Sequence, residues 1–230
     1  MSAIKFINSR ILRLIAKLRL RPIRVFCLHH VCKAFDGDSM HECDWMDIEA
    51  FKRAIIRMYN DGTKFISLTK AYQHISKDWL RHEKYAVLTF DDGYASLKEI
   101  LPWLEEYKIP ITLFINGKYL DGKSYRKTPK EKYLTKEELF SLTSPLIEIG
   151  SHGWTHIDAS RISADEFKLI IEQNIKLLQT HPRYVPFHAY TWGRHTSNTD
   201  AYLLSQGIKP VLMDGMKNHD ETGVIHRQLL

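Results

Sequence analysis

Apolar strand-like runs alternate with helical patterns along almost the whole chain, and this alternation constrains the fold more than any other sequence feature. The runs include residues 24–28, 85–88 and 110–115, and amphipathic helical patterns cover about 47–60 and 163–179. Short apolar runs rich in β-branched or aromatic residues are typical of buried strands. Because consecutive parallel strands need crossover connections, usually helices, the alternation predicts an α/β fold with a parallel sheet, open or closed into a barrel.

The remaining predicted elements continue this pattern without a linker or an internal repeat. A helix over about 95–107 is expected to be interrupted at Pro102, because proline lacks the amide hydrogen that a helix interior needs. Capping-box signatures at Thr135 and Ser163 predict two more helices. The other expected elements are strands at 65–67, 146–150, 184–189 and 208–213, a short helix opened by Thr69 and another near Asp200.

Polar residues stand at the carboxyl ends of the predicted strands. In parallel α/β folds the carboxyl ends of the strands form the functional site, because all the strands end at the same edge. We therefore expect these side chains to lie close together. They are His29–His30, Asp91–Asp92, Asn116, His152 and 190–192.

Two adjacent acids, Asp91 and Asp92, follow a buried strand in the stretch Thr89–Tyr94. Neighbouring buried carboxylates are costly unless a positive charge lies between them, and a metal ion is the usual solution. An Asp-Gly sequence also occurs in loops that only cap a following helix. The metal interpretation therefore requires further ligands elsewhere in the chain.

His152 and His156 are the candidates for those ligands. On a helical turn, side chains at i and i+4 point the same way and can share one metal ion. One aspartate and two histidines form a ligand set that leaves positions open for water and substrate. The sequence thus favours a metal site at the carboxyl ends of two strands.

Together, Thr89–Tyr94 and Ser151–His156 closely resemble the metal motifs of the NodB-type polysaccharide deacetylases, carbohydrate esterase family 4. The resemblance extends over about 25–213 and includes Leu28-His29-His30-Val31 and the run at 109–115. It implies a distorted (β/α) barrel with fewer than eight regular strands.

The resemblance also implies roles for individual residues. Asp92, His152 and His156 would bind a divalent metal, with zinc expected and cobalt or nickel as alternatives, and Asp91 would be the general base. His30 would either act near the metal or only stabilise the first turn by hydrogen bonding.

In the family's third motif, which aligns with residues 189–193, this chain departs from the usual pattern. Ala189 stands where the motif has an arginine, as it does in one branch of the family, and Thr191 stands where both patterns have a proline, which is less usual. Arg194 is a candidate substitute for the arginine. The last motif of the family carries a histidine that acts as general acid, and His226 is the one late candidate. The residues expected to contact the substrate are Tyr190, Trp192 and Gly193.

The net charge of +6 belongs to the amino-terminal segment. Residues 1–24 contain seven basic and no acidic side chains, which leaves 26 basic and 27 acidic residues in the rest. A nearly neutral body argues against a nucleic-acid partner. Apolar residues recur at helical spacing between the arginines, but charges interrupt every apolar stretch, so we expect neither a spanning helix nor a cleaved signal peptide.

The sequence therefore predicts a basic amphipathic helix over 1–22 and a deacetylase domain over 23–230. This helix would either pack on the protein itself or lie on an anionic membrane surface, and we favour the membrane. An odd number of cysteines, Cys27, Cys32 and Cys43, suggests a reducing compartment. We accordingly expect a cytoplasmic protein, peripheral at the inner face of the membrane.

The expected function is metal-dependent hydrolysis of N-acetyl groups on amino sugars of a polysaccharide or a lipid-linked saccharide. Two alternatives remain open at this point. One is a family member that has weakened or lost catalysis and binds metal and saccharide, which the altered third motif favours. The other is a deformylase of a lipid-linked amino sugar, which the basic amino-terminal segment favours.

Overall fold

The computed structural model describes residues 21–33, 45–75, 80–81, 83–123, 132–214 and 224–230. Its strands are β1 (Arg21–Pro22), β2 (Arg24–Leu28), β3 (His30–Cys32), β4 (Trp45–Asp47), β5 (Thr63–Phe65), β6 (Leu80–Arg81), β7 (Lys84–Phe90), β8 (Ile111–Ile115), β9 (Ile147–Ser151), β10 (Tyr184–Ala189), β11 (Lys209–Met213) and β12 (Ile225–Leu229). Its α-helices are α1 (Ile48–Asn60), α2 (Leu68–Ile75), α3 (Leu101–Glu106), α4 (Lys136–Ser141), α5 (Ala164–Leu178) and α6 (Ser197–Ser205).

Seven parallel strands form a closed ring in the order β2, β12, β11, β10, β9, β8 and β7, which returns to β2. The structure thus confirms the predicted α/β fold and gives the distorted (β/α) barrel that the resemblance implied. The last strand lies between β11 and the first barrel strand, with Leu229 opposite Cys27. β5 pairs with the first residues of β7, and β1–β6 and β3–β4 are separate two-stranded pairs.

Alternation along the strands separates an interior from an exterior core. Val25, Val87, Phe114 and Val211 belong to an interior cluster that α2 closes at the amino-terminal end of the barrel through Leu68. The intervening residues pack outward in a second cluster with α1, α3 and α4. Because side chains alternate sides along a strand, the same alternation carries polar residues into the barrel where the strands end.

Helix boundaries follow local signals that the sequence contains. Asp47 caps α1 by accepting from the Glu49 and Ala50 amides, and Thr135 forms the predicted capping box with Glu138. The segment around Pro102 divides as expected into a 3-10 helix, Ala95–Glu99, and α3. None of the helices in the described part of the chain has the length and apolar character that crossing a membrane requires.

Two local predictions need correction or lie partly outside the described residues. The strand expected at 65–67 runs instead over Thr63–Phe65, since Leu68 already begins α2. Of the predicted amino-terminal helix, residues 1–20 lie outside the described residues, and Arg21–Pro22 form strand β1 rather than the end of a helix.

Candidate active site

A cavity of about 240 Å³ opens at the carboxyl ends of the barrel strands. Its residues come from three of the seven barrel strands (β2, β11 and β12) and from the loops that follow four of them (β2, β7, β9 and β10), so closing the ring is what forms the cavity. The lining residues are Cys27, His29, Asp91, Asp92, His152, His156, Tyr190, Trp192, Gly193, Met213, Arg227 and Leu229.

Asp91 and Asp92 lie on a tight turn that directly follows β7. The Asp91 amide donates to the Leu28 carbonyl at 2.9 Å, which ties the turn to β2. Asp92 has a φ of 72°, a left-handed conformation that is uncommon for a residue with a side chain. Gly93 follows at φ 84° and lies so close to Ile115 that an added Cβ would be 3.0 Å from Ile115 Cδ1. Strained backbone of this kind is concentrated at functional sites.

The side chains of Asp92, His152 and His156 converge on one point of the cavity. Asp92 Oδ1 lies 3.3 Å from His152 Nε2 and 3.4 Å from His156 Nε2. The same Oδ1 is buried and has no hydrogen-bond partner among the described residues. An unsatisfied buried carboxylate oxygen facing two imidazoles fits a site for a divalent cation.

His152 is held in the orientation that a metal ligand needs. Its Nδ1 lies 2.7 Å from the Ala189 carbonyl, to which it donates, so that Nε2 is the unprotonated nitrogen. Asn116 Nδ2 donates to the carbonyls of His152 and Gly153 and fixes the loop from behind. The expected helical turn over 152–156 is wrong, because the segment is an irregular loop in which Gly153 has a φ of 87°.

Charges within this cluster shift the pKa values of its members. Burial by itself would raise the pKa of Asp92, but the nearby imidazoles of His152 and His156 lower it well below its usual range. Burial would lower the pKa of His152, whereas Asp91 and Asp92 raise it on balance. A bound cation would reverse the second shift, because a metal ligand must present an unprotonated nitrogen.

Asp91 is bound by a residue outside this cluster, Arg227. Its Oδ2 is 4.0 Å from His152 Nε2, while its two oxygens accept from Arg227 Nη1 at 2.6 Å and Nη2 at 2.8 Å. Burial raises the pKa of Asp91, but the Arg227 charge outweighs it, with help from His152, and the pKa falls to about 2. Arg194, the expected arginine, instead binds Asp158 at 2.8 Å, so that expectation is wrong.

The first barrel strand contributes two more residues beside Asp91. Cys27 is buried and its Sγ lies 3.4 Å from Asp91 Oδ2. His29 lines the cavity, and its Nδ1 is buried with no hydrogen-bond partner in the described part of the chain. His30 turns away from the cavity, since its Nδ1 is 3.2 Å from Ser96 Oγ and its ring stacks on Tyr94. Of the two roles considered for His30, stabilising the first turn fits these contacts.

His226 does not line the cavity, although it was the expected late histidine. It precedes Arg227 on β12 and therefore faces the other side of the strand. Its Nδ1 lies 2.6 Å from Asp214 Oδ2, and the side chain is buried there. Its position is wrong for a general acid.

The third-motif segment forms the rim of the cavity. Trp192 has a φ of 53°, is 58% exposed, and meets the His156 ring edge-on at a centroid distance of 4.5 Å. Tyr190 is buried and stacks on Phe167, so that only part of it reaches the lining. Gly193, with a φ of 66°, already donates its amide to the Tyr190 carbonyl, which leaves no backbone donor at that position for a substrate.

His29 and Arg227 are among the cavity residues to which the sequence analysis gave no definite role. His29 was recognisable as part of a polar pair after a strand, but the sequence does not tell which of the two histidines faces inward. The sequence indicated Arg227 more weakly, because this arginine stands between Ile225 and Leu229 at alternate positions of a short segment.

The family model of the polysaccharide deacetylases matches residues 80–211, more than half of the chain. The chain therefore belongs to the polysaccharide deacetylase family, and the resemblance named from the motifs is confirmed. YxkH of Bacillus subtilis (strain 168), which bears the name of a polysaccharide deacetylase, is 23% identical over 144 residues. That match covers 62% of this chain and 49% of YxkH, so this chain spans about half the length of that relative.

Solved structures match over nearly the whole chain. A de-N-acetylase from Aggregatibacter actinomycetemcomitans gives a TM-score of 0.75 at 17% identity, with 91% of this chain and 95% of that one covered. The Streptococcus pyogenes deacetylase PplD, solved in complex with acetate, gives 0.77 at 16% identity, with 92% of each chain covered. At these identities the matches establish the fold.

Proposed function

We propose that this protein removes N-acetyl groups from amino sugars of a polysaccharide or a lipid-linked saccharide, in a reaction that depends on a divalent metal. The observation that carries the proposal is that the two adjacent aspartates have different partners. Asp92 faces His152 and His156, whereas Asp91 faces the same cavity but forms an ion pair with Arg227. One carboxylate is thereby available as a ligand and the other as a proton acceptor.

The ligand cluster fits zinc, and it also accommodates cobalt or nickel. Two imidazole nitrogens and one carboxylate oxygen form a common catalytic ligand set that leaves coordination positions open. When bound, such an ion supplies Lewis acidity that polarises an amide carbonyl and makes a water molecule more acidic. Asp92, His152 and His156 would hold it.

Asp91 is the proposed general base. It is ionised over the whole physiological range, because its pKa is about 2. A carboxylate with so low a pKa is a weak base, so it depends on an acidified water to give up a proton. Asp91 receives that proton on a carboxylate oxygen as the water attacks the N-acyl carbonyl carbon.

His29 is the proposed general acid. Hydrolysis of an amide requires a proton on the departing nitrogen, and a histidine is the commonest donor for this step. Among the cavity residues, His152 and His156 are assigned to the metal, and His226 lies outside the lining. That leaves His29, beside Asp91, to give its proton to the amine of the sugar.

The acyl group has an apolar wall to pack against. Trp192, Met213 and Leu229 line the cavity next to the ligand cluster, and Trp192 and Leu229 are well exposed. An acetyl methyl group gains from burial against such side chains, and an exposed indole at the rim suits stacking with a sugar ring. Tyr190 and Gly193 shape the same rim. PplD was solved with acetate, the acid that deacetylation produces, which agrees with this assignment.

The test is release of acyl groups by purified protein reconstituted with zinc or cobalt. A panel of N-acetylated and N-formylated amino sugars, polymeric and lipid-linked, is incubated with wild type and with D91N. We expect acetate release by wild type, and in D91N a loss of kcat of about 10²–10⁴-fold, the usual contribution of general acid–base catalysis, with metal content unchanged.

Other outcomes identify the alternatives. Formate release in preference to acetate would make the protein a deformylase. Metal and saccharide binding without turnover, identical in wild type and D91N, would make it a non-catalytic family member. Either result contradicts the proposed deacetylation.

A peripheral position at the inner face of the membrane belongs to the same proposal. The support is the run of seven basic residues and no acid within residues 1–24. Such a segment gains from anionic lipid headgroups at low and moderate salt. We expect the full chain to co-sediment with phosphatidylserine vesicles and a variant without residues 1–22 to remain in the supernatant. Equal sedimentation of the two would contradict the membrane contact.

A further inference from the structure

We propose that Arg227, on the last strand, is the positioning residue that holds the base Asp91 for proton transfer, in place of the arginine that Ala189 replaces in the third motif. This inference rests on the proposed function. It gives β12 a part in the active site through Arg227, and not through His226, the residue that the family's last motif suggested.

The contact between Arg227 and Asp91 has the geometry of a positioning pair. The two guanidinium nitrogens meet the two carboxylate oxygens at 2.6 and 2.8 Å, and Nη1 also donates to Thr89 Oγ1 at 2.9 Å. A planar fork against a planar carboxylate fixes rotation as well as distance, which a lysine cannot do. Asp91 is thus restrained about its side-chain torsions.

The arginine itself is held on its other side by packing. Arg227 is fully buried, and its guanidinium lies over the Phe114 ring at 5.2 Å. Phe114 in turn occupies space that only a glycine leaves open, because a Cβ on Gly150 would be 2.7 Å from the Phe114 ring. Burial of this kind converts a flexible side chain into a rigid support.

A purely structural role fits these observations less well. A buried ion pair contributes little net stability relative to apolar residues of similar volume. This pair also lines the cavity, and it involves the carboxylate of the turn that lies farther from His152, at 4.0 Å compared with 3.3 Å for Asp92. Its placement matches a role in the reaction.

The pair has a second consequence for the metal cluster. Both Asp91 oxygens are engaged by Arg227, while Oδ2 lies only 4.0 Å from His152 Nε2. Without the arginine, Asp91 is free to rotate toward the ion as an additional ligand. Arg227 would therefore keep the base from binding an ion held by Asp92, His152 and His156.

The experiment compares R227M and R227K with wild type, and uses R183M as the matched control. Arg183 also donates its guanidinium hydrogens within the protein, to the Ile147 and Pro145 carbonyls, and does not line the cavity. For each protein we would measure kcat and KM, bound metal, and the visible spectrum of the cobalt form. The R227M assays are repeated with millimolar guanidinium, and with methylammonium as the ionic control.

In R227M we expect kcat to fall on the order of 100-fold, the cost of a misplaced catalytic group, with KM little changed. Guanidinium, but not methylammonium, should restore part of the rate. The cobalt spectrum should change toward a higher coordination number as Asp91 joins the ion. R227K, which retains the charge without the fork, should lie between wild type and R227M, and R183M should match wild type.

The inference is overturned if folded, metal-loaded R227M or R227K is as fast as wild type. It is equally overturned if R227M loses activity while guanidinium restores none of it and the cobalt spectrum is unchanged, because the residue would then be structural. If R227M does not fold, the kcat of R227K decides. Inactive wild type contradicts the proposed function itself, so the two failures are distinguishable.

Discussion

Two sides of the cavity are built from different kinds of sequence information. The motif side consists of Asp92, His152 and His156, which follow β7 and β9 in two short, contiguous motifs. The closure side consists of Cys27, His29 and Arg227, from the first and last strands of the barrel. Between the two sides stands Asp91, whose amide is bound to β2 and whose carboxylate is bound to β12.

The difference indicates how the proposed chemistry would be kept when a motif changes. The proposed ligands on the motif side must meet at one point, so their spacing along the chain is restricted. On the closure side, any interior position near the carboxyl end of a neighbouring strand can supply a charge to Asp91. Arginine is long enough to do this from β12 even though position 189 is an alanine. The two sides therefore differ in how freely a residue can be relocated.

The largest effect is expected from breaking the motif side at Asp92. D92N removes the charge of the carboxylate on which both imidazoles converge, so metal content should fall well below one per chain and acetate release should fall to the rate without enzyme. D158N is the matched control, because Asp158 belongs to the same loop as His156 but binds Arg194 and Ser160. D92N protein with a full metal complement would contradict the ligand assignment.

The second-largest effect on activity is expected from replacing His29 on the closure side. H29N should retain its metal and lose about 10²-fold in kcat on amides, because the departing amine needs a proton. An aryl acetate, whose leaving group needs none, should be hydrolysed at nearly the wild-type rate by H29N and much more slowly by D91N.

H30N is the neighbouring control for this prediction. It should lower stability through the lost contacts with Ser96 and Tyr94 while leaving kcat close to wild type. Equal losses for H29N on the amide and the aryl acetate would contradict the role of general acid.

The smallest effect is expected in the pH dependence of stability, through His188, which contacts Ser151 beside the motif side. Ser151 Oγ accepts from Asn174 Nδ2 and from the Gly153 amide, so its hydroxyl hydrogen is left to donate to His188 Nδ1, which lies 3.1 Å away. The fold therefore holds His188 in its neutral form. Burial first, then the charges of His152 and Arg227, lower the pKa of His188 from 6.5 to about 3.

The sign of the pH dependence follows from that direction. Because the folded-state pKa lies below the unfolded value, the unfolded chain binds the proton more tightly between pH 6.5 and 3. His188 therefore contributes stability that is complete above about pH 6.5 and is lost by about 1.4 kcal/mol per pH unit below it. Urea unfolding at several pH values should show a shallower dependence in H188Q than in wild type. Parallel curves would contradict a neutral buried His188.

The fold could be predicted from the sequence because its strands and helices carry local signals of burial and capping. β7 and β8 are apolar runs because both of their faces are buried, and α1 begins directly after Asp47 because the aspartate accepts hydrogen bonds from its first amides. These signals are local, so one chain is enough to detect them. The two-residue error at β5 arose because Leu68 already belongs to α2, and apolar character alone does not distinguish a strand end from a helix start.

The candidate site was predictable only in part. The grouping of Asp92 with His152 and His156, and the separate position of Asp91, follow from strands whose polar ends must meet. Which of His29 and His30 faces inward depended on how the chain turns after β2. Arg194 and His226 were wrong choices because each is near the site in sequence, whereas Asp158 and Asp214 hold them elsewhere.

The sequence by itself determined the class of fold, the two metal motifs and the family. Each depends on periodicity or on residues close together in the chain. Only the tertiary structure decided that Arg227 reaches Asp91, from 136 positions away, and that His29 borders the same cavity. The physical reason is the pairing of β12 with β2, which closes the barrel and brings Arg227 next to Asp91. No local sequence pattern predicts this contact.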